Sequence, residues 1–259
     1  YLSTLEKYIE PLRTGTPETV LDALPGLLNN IKMMHTIARY YNTSERMTTL
    51  FRKITNKMIW NCKQYVTGPD PNVKMWDQDI PKLISRLHAC LALNELYQEN
   101  YYTTRDKLLT QPKGKQFDFN ETAIFGKFDL FCRRVEKLQD MFTTVDQFAA
   151  LAGHRVEGME ALMKTFQSIV DDFKKKPYEL LDYQKGQFDR DFLEFNANIH
   201  ELESSLQGFI NSSFENITST EQVCSSKQPA AAHHPPSLPP SVAPPLTPLP
   251  FPSRPRYRP

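Results

Sequence analysis

Apolar residues recur every three or four positions along most of this chain, the spacing that lines one face of an α-helix. The first such pattern, Leu2 to Leu12, ends at Gly15. Thr16-Pro17-Glu18 then supplies a cap, a first-turn proline and an acid at the positive end of a helix dipole. This predicts a second helix to about Tyr41, with a kink or break at Leu24 because Pro25 removes a backbone donor. From Ser44 to Val66, Met47, Leu50, Phe51, Ile54, Met58, Cys62 and Tyr65 share one helical face, which Gly68-Pro69-Asp70-Pro71 ends. A fourth helix is predicted from about Asp79 to Leu109, with Ile80, Leu83, Ile84, Leu87, Cys90 and Leu91 on its apolar side. The run Gln111-Pro112-Lys113-Gly114 breaks it.

Two later stretches are more regular. Ile124, Phe128, Phe131, Val135, Leu138, Phe142 and Val145 advance by alternating fours and threes, a seven-residue seam. A shorter helical pattern carries Met159, Leu162, Met163, Phe166, Ile169, Val170 and Phe173 up to Lys174-Lys175-Lys176-Pro177. The seam then returns as Phe188, Phe192, Phe195, Ile199, Leu202, Leu206 and Phe209. Parallel two-stranded coiled coils favour Ile or Val at one seam position and Leu at the other, whereas three phenylalanines per stripe need the wider space between three or more helices. The seams therefore predict helical bundles within one chain over a dimeric coil. The expected fold is all-α: an elongated array of antiparallel helical bundles over residues 1–222, followed by a disordered proline-rich tail at 223–259. That tail is expected because residues 229–259 hold 12 of the 20 prolines, with no glycine and no acid, a composition that favours extended, solvated backbone.

Composition agrees with a helical reading. Only 9 of the 259 residues are glycine, which leaves few places for tight hairpins. The net charge of +1 hides a division, since Lys227, Arg254, Arg256 and Arg258 lie in the tail and residues 1–223 sum to −3. The body therefore predicts no strong footprint for nucleic acid. No apolar run approaches the 18 or so residues of a membrane span, and no secretion signal opens the chain. It begins at Tyr1, so it reads as a fragment. Cys62, Cys90, Cys132 and Cys224 are dispersed without a CxxC pair and read as reduced thiols of an intracellular protein. Asn42, Asn120, Asn211 and Asn216 head Asn-x-Ser/Thr triplets, but the first two precede helical patterns and suit helix starts or turns.

Candidate chemistry is sparse. Gly153-His154-Arg155-Val156-Glu157-Gly158 has the glycine spacing of a phosphate loop, but Met159 and Glu160 stand where Lys and Ser/Thr belong. His200-Glu201-Leu202-Glu203 starts like a zinc-protease motif, and Ser204 occupies the place of its second histidine. His35, His88 and His154 read as packing residues, and His233-His234 lacks the fixed geometry that gives metal affinity. The pairs Asp171-Asp172 and Asp189/Asp191 read as solvated, and Lys174 to Lys176 as a basic helix end complementing the dipole. No enzyme, cofactor, metal, nucleic acid, membrane or small-molecule substrate is expected.

Three stretches carry a more specific texture: Val20–Tyr40 (VLDALPGLLNNIKMMHTIARY), Phe117–Asp140 (FDFNETAIFGKFDLFCRRVEKLQD) and Phe188–Gln222 (FDRDFLEFNANIHELESSLQGFINSSFENITSTEQ). In these, residues 1–222 resemble the first amino-terminal region of dynein heavy chains, particularly outer-arm axonemal ones of the β type. The resemblance implies a non-catalytic tail that helps heavy chains associate and docks intermediate chains and light chains. It also implies a place in the ciliary or flagellar axoneme, a cytoskeletal structure of the cytoplasm, with the motor ATPase outside this segment. After Gln222 the family pattern is expected to continue as helix; Val223-Cys224-Ser225-Ser226 departs from it, as an alternative transcript or intronic read-through would. A proline-rich ligand for SH3 or WW domains is the competing reading of the tail, and a general cytoskeletal or vesicle-tethering scaffold that of the body.

Overall fold

The computed structural model describes residues 2–41, 43–70, 73–109, 116–153 and 158–225, with side chains described from Leu5 to Ser212 within those ranges. Asn42, Pro71, the 111–114 breaker, His154 with the interior of its glycine run, and residues 226–259 with His233-His234 and nearly all of the proline-rich tail lie outside them, as do the side chains of Asn216 and Cys224. Among the described residues the secondary structure is helical throughout: α1 (Leu2–Thr14), α2 (Pro17–Ile37), α3 (Ser44–Thr67), a short 3-10 turn (Met75–Asp77), α4 (Ile80–Leu109), α5 (Glu121–Ala152), α6 (Glu160–Lys174) and α7 (Gln187–Ser225). The all-α expectation holds. Two compact units divide the chain, residues 1–210 and 211–259. Of the second, the structure describes the backbone of α7 from 211 to 225, so that helix runs past residue 222.

Pro25 breaks nothing. α2 is continuous from Pro17 to Ile37 with Pro25 inside it, flanked by fully buried Leu24, Leu27 and Leu28. Proline costs a helix one backbone hydrogen bond, and burial of three leucines offsets that loss. The adjacent Gly26 lets α1 approach, for the Tyr8 ring lies where any Cβ would stand. α2 also stops at Ile37, short of the predicted Tyr41, because Ala38 turns extended. Arg46 then holds the turn by donating to the Tyr40 carbonyl at 3.0 Å and lying 4.3 Å from the centre of the Tyr40 ring.

Cross-helix contacts fix the antiparallel order within residues 1–210. Between α3 and α4, Thr55 meets Tyr97 and Cys62 meets Cys90. Between α4 and α5, Asn94 and Gln98 both donate to Asp129, while Tyr102 and Arg105 reach Glu121. Between α5 and α6, Phe148 stacks on Phe166 at 4.5 Å. From α6 to α7, Phe173 meets Phe188 and Phe195 edge-on. The helix α5 thus serves two bundles within one continuous core: it packs with α3 and α4 in the first, and in the second it meets α6, α7 and their connector through Phe131 on Tyr183, Phe148 on Phe166 and Arg134 on Asp189. Asn120 caps α5 by accepting from the Ala123 amide at 3.0 Å, the helix-start role its position suggests.

Just before that cap, the extended residues Phe117 and Phe119 close the end of the first bundle. Their rings meet each other at 4.8 Å and His35 edge-on, and both meet Phe51. His35 is consequently buried, while His88 is exposed.

Candidate functional site

The seam residues are the sequence's own candidates. On α5, Ile124, Phe128, Phe131, Val135, Leu138 and Phe142 are all buried, and Val145 with them. On α7, Phe188, Phe192, Phe195, Ile199 and Leu202 are buried, but Leu206 and Phe209 are only half-buried, so the second stripe opens toward its far end. Phe209 there rests against Gly158, whose φ of +91° suits a residue without a side chain and whose Cβ would stand 3.0 Å from the ring. Each stripe faces other parts of the same chain: on α5, Phe131 meets Tyr183 of the α6–α7 connector and Phe142 meets Trp76 of the 3-10 turn, and on α7, Phe188 and Phe195 meet Phe173 of α6.

Between the two stripes lies a polar centre that the sequence pattern does not reveal. Arg134, on α5 beside the seam, is 3% exposed. Its guanidinium donates to the carbonyls of Leu180 (3.1 Å), Asp182 (2.8 Å) and Lys185 (2.9 Å), lies 3.6 Å from the Asp189 carboxylate and covers the Phe188 ring at 4.1 Å. Burial lowers its pKa and Asp189 opposes that shift. A single buried arginine thereby ties down the connector between α6 and α7, whose carbonyls have no helix partners.

Of the pair Asp189 and Asp191, the first stays partly open to solvent, as the pattern suggests, but both have cationic partners and Asp191 is largely buried. Lys137 donates to Asp189 at 2.6 Å, while Asp191, with its side chain 16% exposed, accepts from Lys176 at 3.1 Å and Tyr178 at 2.8 Å. Burial opposes ionisation of Asp191, yet those two hydrogen bonds hold its carboxyl below the usual value. Burial, then the hydrogen bond to Asp191, pushes the Tyr178 hydroxyl up. Asp171 and Asp172 are open to solvent and pair with Lys174 and Lys175 one turn on. Of the three lysines, Lys176 does more than complement a dipole.

The dispersed cysteines converge. Cys62, Cys90 and Cys132 come from α3, α4 and α5 and are buried as free thiols, with Cys90 Sγ donating to the Cys62 carbonyl at 3.8 Å. The Cys90 thiol, then burial, pushes Cys62 well above its ordinary pKa; burial, then Cys90, does the same to Cys132. Such thiols are packing groups of low reactivity. Among the described residues no three His, Cys, Asp or Glu side chains are placed to hold a metal ion, and no helix is long and apolar enough to cross a membrane. A groove of about 450 Å³ opens between Lys74-Met75-Trp76 and the α6–α7 connector. Two of its cations, Lys174 and Lys176, already have aspartate partners.

Nothing in this arrangement defines a reaction, so the sequence comparisons decide what kind of chain it is. The family model described as dynein heavy chain, N-terminal region 1, matches residues 1–227. The chain belongs to that family. It is 49% identical over 226 residues to the dynein gamma chain of the flagellar outer arm of Chlamydomonas reinhardtii, a match covering 87% of this chain and 5% of that one. It is 43% identical over 225 residues to dynein axonemal heavy chain 5 of Rattus norvegicus (87% and 6%). To the dynein beta chain of the Chlamydomonas outer arm it is 27% identical over 236 residues (84% and 5%). The chain thus spans about 5% of the length of these curated relatives and corresponds to the N-terminal region of an axonemal dynein heavy chain. Both seams and the Arg134 centre lie inside the matched dynein region.

Proposed function

We propose that this segment is a non-catalytic tail scaffold of an axonemal dynein heavy chain. It docks intermediate chains with their light chains, helps heavy chains associate, and works in the ciliary or flagellar axoneme for microtubule-based movement. The match of residues 1–227 to the dynein heavy chain N-terminal region carries this reading. The physics of the fold supports it: two bundles sharing one 32-residue helix form a stiff support, as a tail bearing other chains requires. In this reading the two phenylalanine seams are the support's own core and not its docking face.

A pull-down from ciliary extract with the tagged chain tests the reading. Recovery of dynein intermediate chains is expected; recovery of vesicle-tethering subunits without any intermediate chain would overturn it. The purified chain is also expected to bind no ATP above background, and saturable micromolar binding would contradict a non-catalytic role.

A further inference from the structure

Helix α3 carries Arg46, Arg52, Lys53, Lys57 and Lys63 against a single acid, Glu45, a net charge of +4 within a body that sums to −3. Its inner face is core. On its solvent face Arg52 and Lys53 are exposed, Lys57 is half-buried, and Trp60 is 47% exposed with the Lys57 ammonium 3.4 Å from its ring centre. Lys53, Lys57 and Trp60 stand at i, i+4 and i+7 and so form one straight stripe. Lys63 is turned away toward Tyr183 and Asp182, and Arg46 is occupied by Tyr40.

Among the described residues, Arg52, Lys53 and Lys57 take part in no ion pair. The contrast with Lys137, Lys174, Lys175, Lys176 and Lys185, each with an aspartate partner, is direct. Like charges at i and i+4 weaken a helix, so this fold bears an uncompensated repulsion around an exposed tryptophan, a residue type enriched at binding hot spots. We propose that Arg52, Lys53, Lys57 and Trp60 on α3 dock an acidic amphipathic helix of another polypeptide. Its carboxylates lie on the cations and an apolar side chain covers the Trp60 ring. A stripe about 10 Å long matches two turns of a partner helix and is short for the phosphate track of a polyanion or the surface of an anionic bilayer.

The inference rests on the partner-docking reading above and gives it a place on the molecule. Its test uses the whole chain and a labelled synthetic helical peptide with Glu at i and i+4 and Leu at i+7, beside a counterpart with Lys in place of Glu. Fluorescence anisotropy should show binding of the acidic peptide alone, weakened about tenfold between about 50 mM and about 300 mM salt. The double change Lys53→Glu and Lys57→Glu should reverse the preference between the peptides without altering the thermal melt. Equal binding of both peptides, or a preference that survives the charge reversal, overturns the proposal. So does tighter binding to duplex DNA or phosphatidylserine vesicles, or a sedimentation result in which a second copy of the chain covers Trp60. Recovery of intermediate chains in the pull-down without peptide binding would leave the dynein tail reading standing and remove this face from it. Peptide binding without that recovery would do the reverse.

Discussion

Toward α3 and α4, α5 offers rings, a thiol and two carboxylates, Asp129 and Glu121; toward the α6–α7 segment it offers phenylalanines and a buried guanidinium. The first contact has an aromatic centre, with Phe51, Tyr97, Tyr101 and Phe117 fully buried, and its polar pairs are helix-to-helix: Asp129 is shared by two amide side chains and Glu121 by Tyr102 and Arg105. The second needs a charged staple, because residues 175–186 are largely non-helical and their carbonyls seek donors that no helix supplies. Periodic burial can hold helices side by side, but an irregular connector between them is held by hydrogen bonds from a side chain that must itself be buried. The second bundle should therefore be the more sensitive to charge and the first to volume.

The largest expected effect is on volume. Phe51→Ala in the first bundle and Phe131→Ala at the junction should each cost about 3–5 kcal/mol, lowering Tm by roughly 10 °C in a calorimetric melt. Next comes the staple: Arg134→Met, which keeps the stem and removes the donors, should cost about 2–3 kcal/mol. Its site matters more than its size. In a Cys224→Ser background the remaining thiols, all in the first bundle, should stay unreactive to a disulfide reagent, while amides of α6 and α7 exchange faster. Thiols that became reactive in Arg134→Met would show that the two bundles open as one. Loss of the α5 cap in Asn120→Ala should cost about 1 kcal/mol by denaturant titration.

The smallest effect concerns pH. Asp191 and Asp182 have folded pKa values below their ordinary ones, so their contribution is fully present above the unfolded carboxylate pKa and lost as pH falls through the folded values. Acidification below about pH 4 should therefore loosen the α6–α7 segment by no more than about 1 kcal/mol per group. Equal loss of amide protection in α3 and α4 would contradict that localisation.

How much of this was legible in the sequence follows the same division. The α3 face and the α5 seam could be read because spacing alone settles which side of a helix is buried, and Met47, Phe51, Phe128 and Phe142 are fully buried. Arg134 could not be read that way: an arginine one position before seam residue Val135 looks like an ordinary solvent-facing cation until the connector folds over it. The pairing of Asp189 and Asp191, and the burial of Asp191, are hidden for the same reason, since their partners Lys137 and Lys176 are 52 and 15 residues away. The break expected at Pro25 is the opposite case, a strong local signal overridden by the burial of its neighbours. Phe117 and Phe119 precede a helix without any period, and only the end of the first bundle explains them.

The claim that the seams are the chain's own core, with docking left to other surfaces, is tested most directly by Phe195→Ala measured twice, by thermal melt and by intermediate-chain recovery from ciliary extract. The melting temperature should fall by roughly 10 °C, with recovery that falls only in proportion to the unfolded fraction. A variant that melts like the parent but no longer recovers intermediate chain would make the seam a docking face and contradict the account.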